Sequence, residues 1–330
     1  MKKIKIDDKI FIAGASGMAG QAIHRSLIKS GYGNAEKGGA ILTPSRSNLD
    51  CSDKYAVDKW LEINKPKVVI IASAKVGGIF ANSSQPTEFL LENLKIQNNL
   101  IEGSWENNVK RLLFLGSSCI YPKYASQPIE EESLLTGPLE PTNEWYAIAK
   151  ITGIKLCQAL RKQYNFDAIS LMPTNLYGPG DNYHPKNSHV MAALIRKLCE
   201  ASINSYDSVT CWGTGAPYRE FLHVDDLGDA AVYALENWDP DSSNAPLDRD
   251  GNPLTILNVG TGKDISIKSL ALKIAKFLDY KGKILWDNSK PDGTPKKQLQ
   301  IDKILELGWK PKISLDEGIR SSIKTFLKNK

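Results

Sequence analysis

The chain has 330 residues, of which 42% are hydrophobic and 24% charged, so it is long enough to bury a large core and has the composition of a globular protein. Its net charge of +5 is spread along the chain, without the arginine-rich arm or stripe that would indicate a nucleic-acid partner. No apolar run approaches the length of a membrane span, and the charged N-terminus lacks the apolar core of a signal peptide.

The cysteine residues indicate the redox environment of the cellular compartment in which the protein works. There are five of them, an odd number, and none lies in a C-x-x-C pair. This pattern argues against a disulfide framework or a zinc site and favours a reducing environment. We therefore expect a cytoplasmic protein that holds no metal ion.

A glycine-rich loop follows the first predicted strand, residues 9–13. It contains Gly14, Gly17 and Gly20, and an amphipathic helix begins within it. Glycines at this spacing permit a tight turn, and the backbone amides at the start of the helix can then receive a pyrophosphate. The strand, loop and helix together predict a dinucleotide-binding site.

The second predicted strand, residues 40–43, indicates which dinucleotide is bound. A site that prefers NAD places an acid at the end of this strand for the ribose 2′-hydroxyl, but here no carboxylate occurs before Asp50. Arg46 follows the strand instead and is placed to receive a 2′-phosphate, which predicts NADPH. The alternative is that Arg46 is simply a solvent-exposed loop arginine.

Strands and helices alternate along the chain, which predicts a doubly wound parallel sheet of the Rossmann type, an α/β fold. We expect residues 1–175, joined by returning segments near 220–235 and 255–262, to form the dinucleotide-binding domain. The remainder of residues 176–330 is expected to form a smaller α/β lobe that binds substrate. Residues 173–190 and 212–221 are rich in Pro, Gly and polar residues, so we expect irregular loops there.

The most specific chemistry lies between residues 112 and 150. A predicted apolar strand, residues 112–115, is followed by Ser117 and Cys119 at the edge where ligands bind an open α/β sheet. Tyr146 and Lys150 are four residues apart and share one helix face. We expect the ammonium of Lys150 to lower the pKa of the Tyr146 phenol from about 10 toward neutrality. Such a tyrosine can protonate a carbonyl oxygen while a hydride reaches the carbon, and Ser117 can hold the same oxygen.

With the glycine fingerprint, the set Ser117, Tyr146 and Lys150 resembles the catalytic set of the short-chain dehydrogenase/reductase superfamily, in its extended, nucleotide-sugar-modifying branch. Within that branch, Ser-Ser-Cys-Ile-Tyr-Pro at 117–122 and Asn-Ser-His at 187–189 resemble the GDP-L-fucose synthase family. The resemblance extends over nearly the whole chain.

The resemblance implies a cytosolic, NADP(H)-dependent homodimer that acts on GDP-4-keto-6-deoxy-D-mannose. The family epimerises C3 and C5 and then reduces C4, which gives GDP-L-fucose. Cys119 matches the family's epimerisation base and His189 its acid. The implied catalytic residues are therefore Ser117, Cys119, Tyr146, Lys150 and His189.

The family's binding pattern also carries over to numbered positions. The implied cofactor contacts are Gly14, Ser16, Gly17, Met18, Ala19, Gly20, Arg46, Leu115, Gly116, Lys150, Pro173, Asn175, Leu176 and His189. The implied substrate contacts are Lys197, Trp212, Arg219 and Asp292.

Other interpretations stay open at this point. Cys119 taken alone is also typical of a small buried hydrophobic residue, and His189 of a surface residue. The protein could be another nucleotide-sugar 4-epimerase, 4,6-dehydratase or 4-reductase of the same superfamily, or a non-catalytic dinucleotide-binding sensor. The cysteine argues against a dehydratase, and the intact set of Ser117, Tyr146 and Lys150 argues against a sensor.

Overall fold

The computed structural model describes residues 2–185 and 187–328. The strands in these residues are β1 (Lys9–Ala13), β2 (Ala40–Leu42), β3 (Val68–Ile71), β4 (Arg111–Leu115), β5 (Ala168–Pro173), β6 (Asn175–Tyr177), β7 (Ser208–Trp212), β8 (Tyr218–His223), β9 (Ile256–Val259), β10 (Asp264–Ser266), β11 (Lys283–Asp287) and β12 (Lys296–Lys297). The helices are α1 (Met18–Lys29), α2 (Lys54–Asn64), α3 (Ile79–Ser84), α4 (Pro86–Glu106), α5 (Glu144–Tyr164), α6 (Val190–Ile203), α7 (Val224–Asn237), α8 (Ile267–Phe277), α9 (Asp302–Glu306) and α10 (Leu315–Lys328).

A six-stranded, all-parallel sheet forms the larger part of the molecule, with the strand order β2-β1-β3-β4-β5-β9. Strands β3, β4 and β5 are buried along their whole length, as their largely apolar sequences favour, and the buried Arg111 at the start of β4 pairs with Asp167. Helix α1 packs against α7, and α4 packs against α2 and α5. The predicted α/β architecture with a doubly wound parallel sheet is confirmed.

The glycine-rich loop lies where the strand order reverses, between β1 and β3. Gly14 has a φ of +84°, and a Cβ there would come within 2.6 Å of the Ser73 backbone after β3. A Cβ on Gly20 would collide with the carbonyl of Gly14. Only glycine at these two positions lets α1 start this close to the sheet, at the point where α/β folds bind ligands.

The smaller part of the molecule has its own sheets. Strand β8 pairs with β6 and β12 in parallel and with β10 antiparallel, while β7 pairs with β11 in parallel. Residues of α6, α8 and α10 form a hydrophobic cluster distinct from the core of the large sheet. This cluster supports the elements that present the C-terminal polar loops.

Two loop predictions are wrong in part. Residues 175–177, within the expected loop 173–190, form β6, and residues 218–223, which overlap the expected loop 212–221, form β8. Strand β8 contains Glu220, whose side chain is fully buried and accepts backbone N–H bonds from Thr261, Gly262 and Leu299. Because these donors come from distant segments, the local sequence cannot show that a charged residue here belongs to a buried strand.

Within residues 2–185 and 187–328, the structure has no helix with both the length and the apolar character needed to cross a membrane. The same residues contain no group of three or more His, Cys, Asp or Glu side chains arranged to hold a metal ion. Cys51, Cys119, Cys157 and Cys211 are free thiols.

Candidate active site

The structure brings Ser117 and Tyr146 together at the C-terminal edge of the large sheet. Ser117 begins a short 3-10 turn after β4, and its hydroxyl accepts a hydrogen bond of 3.2 Å from the backbone N–H of Cys119. Tyr146 lies in the first turn of α5, and its hydroxyl is hydrogen bonded to the side chain of Ser117. The two hydroxyl groups can therefore meet one carbonyl oxygen.

Lys150 lies one helical turn after Tyr146 and is buried. Its Nζ donates a 2.8 Å hydrogen bond to the carbonyl of Leu115, and it lies 5.9 Å from the centre of the Tyr146 ring. Burial lowers the pKa of Lys150 to about 7, because the protein interior disfavours the charged ammonium. The lysine thus ties the end of β4 to α5.

The expected direction of the Tyr146 pKa shift is wrong for this structure. Burial raises the pKa of the phenol, the nearby Cys119 adds to that rise, and the hydrogen bond with Ser117 only partly opposes it. The Lys150 ammonium is itself destabilised by burial and is directed at a backbone carbonyl, so it does not compensate. The i,i+4 spacing predicts which residues are neighbours but not how strongly both are desolvated. Tyr146 is consequently held in its protonated form, ready to donate.

Cys119 has two nitrogen donors around its sulphur. Asn143 Nδ2 lies 3.4 Å from Sγ, and Lys297 Nζ lies 3.5 Å from it. Neither residue was predicted as part of the site. Asn143 stands next to α5, a position that could have drawn attention to it, whereas Lys297 is separated from Cys119 by 178 residues and carries no local signal.

His189 stands immediately before α6, as its N-cap residue. No hydrogen bond or ion pair between described residues joins it to Cys119 or Tyr146. Although the residue is exposed, the protein atoms around its ring lower its pKa by desolvation. The preceding residue, Ser188, approaches the loop after β3, where its carbonyl would lie 2.9 Å from a Cβ on Gly78.

The cofactor contacts that the resemblance implies begin in the loop between β1 and α1. Gly17 is the N-cap of α1 and provides no side-chain cap, so the first amides of the helix remain available for an anion. The Arg46 side chain is 82% exposed and lies 3.9 Å from Asp50. An uncapped helix start and a largely exposed guanidinium fit the diphosphate and the 2′-phosphate of NADP(H), respectively.

The remaining cofactor candidates belong to neighbouring strand ends. Leu115 ends β4 and Gly116 follows it, and Pro173 ends β5. Asn175 and Leu176 lie in β6, where the side chain of Asn175 donates 2.8 Å to the carbonyl of Glu220. Ser16, Met18 and Ala19 lie around the start of α1, where the carbonyl of Ser16 accepts a hydrogen bond from Gln21.

The four predicted substrate residues lie in the smaller part of the molecule. Trp212 is 52% exposed, and the ammonium groups of Lys197 and Lys290 each lie 5.9 Å from its ring. Arg219 Nη2 reaches the carbonyl of Asp292 at 3.4 Å. An exposed aromatic face with cations beside it suits a nucleoside diphosphate.

Asp292 is hydrogen bonded to the loop that follows Trp212. Its two carboxylate oxygens accept hydrogen bonds from the N–H and the hydroxyl of Thr214, at 2.8 and 2.7 Å. These bonds fix the loop after Trp212 against the loop that contains Asp292. The carboxylate therefore orders the binding loops.

Glu140 connects the loop before α5 with the smaller part of the molecule. Its carboxylate pairs with Lys123 at 3.1 Å, accepts from Thr142, and accepts from the hydroxyl of Thr294 at 3.3 Å. Although burial opposes ionisation, the bonds from Lys123 and Thr142 hold the pKa of Glu140 below its usual value. The resulting carboxylate fixes the segment that contains Asp292.

Comparison with known proteins identifies the family. Residues 10–246 match the model of the NAD dependent epimerase/dehydratase family. The chain belongs to this family. A curated relative named GDP-L-fucose synthase 1, from Arabidopsis thaliana, is 49% identical over 97% of this chain and 94% of its own length. Relatives with this name confirm the resemblance to the GDP-L-fucose synthase family.

Solved structures of this epimerase/dehydratase type have the same architecture. A GDP-6-OMe-4-keto-L-xylo-heptose reductase from C. jejuni superposes with a TM-score of 0.91 at 34% identity, covering 99% of each chain. A GDP-L-fucose synthetase from Naegleria fowleri bound to NADP superposes with a TM-score of 0.83 at 25% identity, covering 99% of this chain and 96% of that one.

Proposed function

We propose that this protein converts GDP-4-keto-6-deoxy-D-mannose to GDP-L-fucose by epimerisation at C3 and C5 followed by reduction at C4 with NADPH. The observation that carries the proposal is the position of Cys119. The residue follows Ser117 by two positions and is close enough to Tyr146 to influence its pKa. An acid–base thiol thus shares one site with the residues that serve hydride transfer.

The epimerisation follows from the acidity that a C4 ketone gives to the protons at C3 and C5. As the thiolate of Cys119 removes one of these protons, the C–H bond breaks, an S–H bond forms, and the electron pair moves to the C4 oxygen as an enolate. His189 returns a proton to the carbon from the opposite side. Its exposure lets solvent restore that proton.

In the reduction, bound NADPH supplies the hydride to C4. Tyr146 donates its phenolic proton to the C4 oxygen, while the Ser117 hydroxyl holds that oxygen by a hydrogen bond. The raised pKa of Tyr146 suits this role, because the phenol is protonated when the ketone arrives. Lys150, bonded to Leu115, fixes the helix turn that carries Tyr146.

The substrate's GDP part fits the group around Trp212. The exposed indole can stack on the base, and Lys197 and Arg219 can pair with diphosphate oxygens. Burial lowers the pKa of both cations, which increases the benefit of a bound anion. Asp292 contributes through the loop that it orders.

The choice of cofactor gives a direct prediction. Replacing Arg46 by alanine should weaken NADPH binding by about 1.5–3 kcal/mol, the range for charge-assisted hydrogen bonds, and leave NADH binding nearly unchanged. Fluorescence titration with both cofactors measures the difference. Equal losses for NADPH and NADH would remove Arg46 from recognition of the 2′-phosphate.

The proposed activity is tested with purified protein, GDP-4-keto-6-deoxy-D-mannose and NADPH. We expect loss of the reduced-nicotinamide absorbance at 340 nm together with formation of GDP-L-fucose, identified by NMR of the product. A product with unchanged configuration at C3 and C5 would indicate a simple 4-reductase. If no NADPH is consumed, the proposed reaction is wrong.

We propose in addition that the protein is a cytoplasmic homodimer. The free thiols support a reducing compartment. Helices α4 and α5 carry the exposed apolar side chains Leu91, Trp145 and Ile148, which support an interface on these two helices.

We also propose that residues 1–175, with the segments near 220–235 and 255–262, bind NADP(H), and that the rest of residues 176–330 binds the substrate. The two separate hydrophobic clusters support this division.

The dimer can be tested by light scattering coupled to gel filtration. We expect twice the chain mass of 36.4 kDa for the natural protein and a monomer for Ile148→Asp. The matched control is Leu272→Asp, which places the same charge on an exposed leucine of α8 and should remain dimeric. A natural protein that is monomeric at micromolar concentration would refute the proposal.

A further inference from the structure

We propose that Lys297 is a positioning residue that stabilises Cys119 as its thiolate. Lys297 belongs to the C-terminal region of the chain, and the fold brings it back to the sheet edge where Cys119 lies. Its consequence for epimerisation rests on the proposed function, but the state of the thiol can be measured without any substrate.

The geometry places the ammonium directly at the sulphur. Lys297 Nζ donates to Cys119 Sγ over 3.5 Å, and Asn143 Nδ2 donates to the same atom over 3.4 Å. A neutral thiol is a weak acceptor, whereas a thiolate is a strong one. Two N–H donors on one sulphur therefore favour the ionised form.

The backbone around Lys297 is held on both sides. Lys297 lies opposite Arg219 in the parallel pairing of β12 with β8. The next two residues are also fixed: Gln298 N donates 2.9 Å to the side chain of Gln127, and Leu299 N donates 2.7 Å to the buried carboxylate of Glu220. The lysine is thus presented to the sulphur from an anchored strand, so its backbone is already ordered when the side chain pairs.

The charges nearby leave Lys297 available to Cys119. Among residues 2–185 and 187–328, Lys297 forms no ion pair with a carboxylate, whereas its neighbour Lys296 pairs with Asp264 at 3.5 Å. Cys119 also faces Arg219 of β8 and the phenol of Tyr146 on α5.

The surroundings of the sulphur therefore contain two cations. Two carboxylates, Glu140 and Asp292, act on Arg219, and Glu140 also pairs with Lys123 at 3.1 Å. Lys297, whose Nζ lies 3.5 Å from Sγ, is therefore the cation placed to pair with a thiolate at Cys119.

The chemical consequence is a base that is ready at neutral pH. Only the thiolate can accept the proton from C3 or C5, and an ordinary thiol is mostly protonated at neutrality. When the S–H bond has formed, the sulphur is neutral and Lys297 keeps its charge. The proton then leaves to solvent or back to the carbon, and the pairing restores the thiolate.

The test compares Lys297→Met with Lys296→Met, two substitutions on adjacent residues of one strand. In the full-length protein, the alkylation rate of Cys119 by iodoacetamide is measured against pH, with the modified peptide quantified by mass spectrometry. For Lys297→Met we expect the midpoint of the profile to rise by about one pH unit, the lower end of the effect of a cation at this distance because the site is partly exposed. Below both midpoints the rate should fall only about threefold, since a more basic thiolate is also more nucleophilic.

Lys296→Met should keep the alkylation profile of the natural protein. Lys297→Arg, which retains the positive charge, should have a midpoint closer to that of the natural protein than Lys297→Met has. NADPH binding checks that each variant is folded. An unchanged midpoint in folded Lys297→Met would overturn the proposal, whatever the enzyme's substrate is. If the midpoint shifts as expected but the natural protein exchanges no protons at C3 and C5 of the GDP-sugar, the proposed function fails while the pairing stands.

Discussion

Replacing Tyr146 by phenylalanine is expected to abolish most C4 reduction while the protein folds and binds NADPH normally. The ring stays in place, but the hydroxyl that protonates the C4 oxygen is gone. General acid catalysis contributes about 10²- to 10⁴-fold, so kcat for NADPH oxidation should fall by that order. The measurement is the steady-state loss of absorbance at 340 nm with GDP-4-keto-6-deoxy-D-mannose.

A matched control comes from the same helix. Tyr164 is the last residue of α5 and is 48% exposed, so Tyr164→Phe should leave the rate unchanged. Exchange of the C3 and C5 protons with solvent should persist in Tyr146→Phe, because Cys119 and His189 perform it. Reduction at the natural rate in Tyr146→Phe would show that another group supplies the proton.

Removing the hydroxyl also has a structural cost that should be small. The partner of the Tyr146 hydroxyl is the Ser117 side chain, which keeps its hydrogen bond from the backbone of Cys119. The loss of one hydrogen bond in a partly exposed site corresponds to about 1 kcal/mol of stability. A large fall in the free energy of unfolding would therefore point to a packing role for Tyr146.

The parts of the fold that the sequence predicts well are those with local signals. The apolar run of β4, the glycines before α1 and the i,i+4 pair on α5 each depend on neighbouring residues only. These three signals place Gly14, Ser117, Tyr146 and Lys150 at one sheet edge.

The parts that could not be predicted depend on contacts between distant segments. Strand β8 is stabilised by partners from β6, β10 and β12, and Lys297 reaches Cys119 only because β12 pairs with β8. The direction of the Tyr146 pKa shift depends on burial, which a helix pattern does not reveal. The sequence thus predicts which residues are present at the site better than it predicts their electrostatics.

Replacing Cys119 by serine should separate the two chemistries. The substitution keeps a small polar side chain but replaces a thiol by a hydroxyl that scarcely ionises near neutrality, so the base is lost. Exchange at C3 and C5 should fall by about 10²- to 10⁴-fold, the usual contribution of a general base. The substitution keeps the Tyr146 hydroxyl and the NADPH site in place, so the variant should still reduce the unepimerised ketone slowly, giving a 6-deoxy sugar with the wrong configuration.

Deuterium incorporation into substrate and product in heavy water, followed by NMR, measures this loss at each carbon. Cys51→Ser is the control, because it changes another partly buried thiol. This variant should exchange the protons at C3 and C5 at the normal rate. His189→Gln should instead impair the return of the proton, so that epimerised product declines while exchange by Cys119 continues. Normal exchange at both carbons in Cys119→Ser would mean that the thiol serves packing alone, and the reaction would then be a simple 4-reduction.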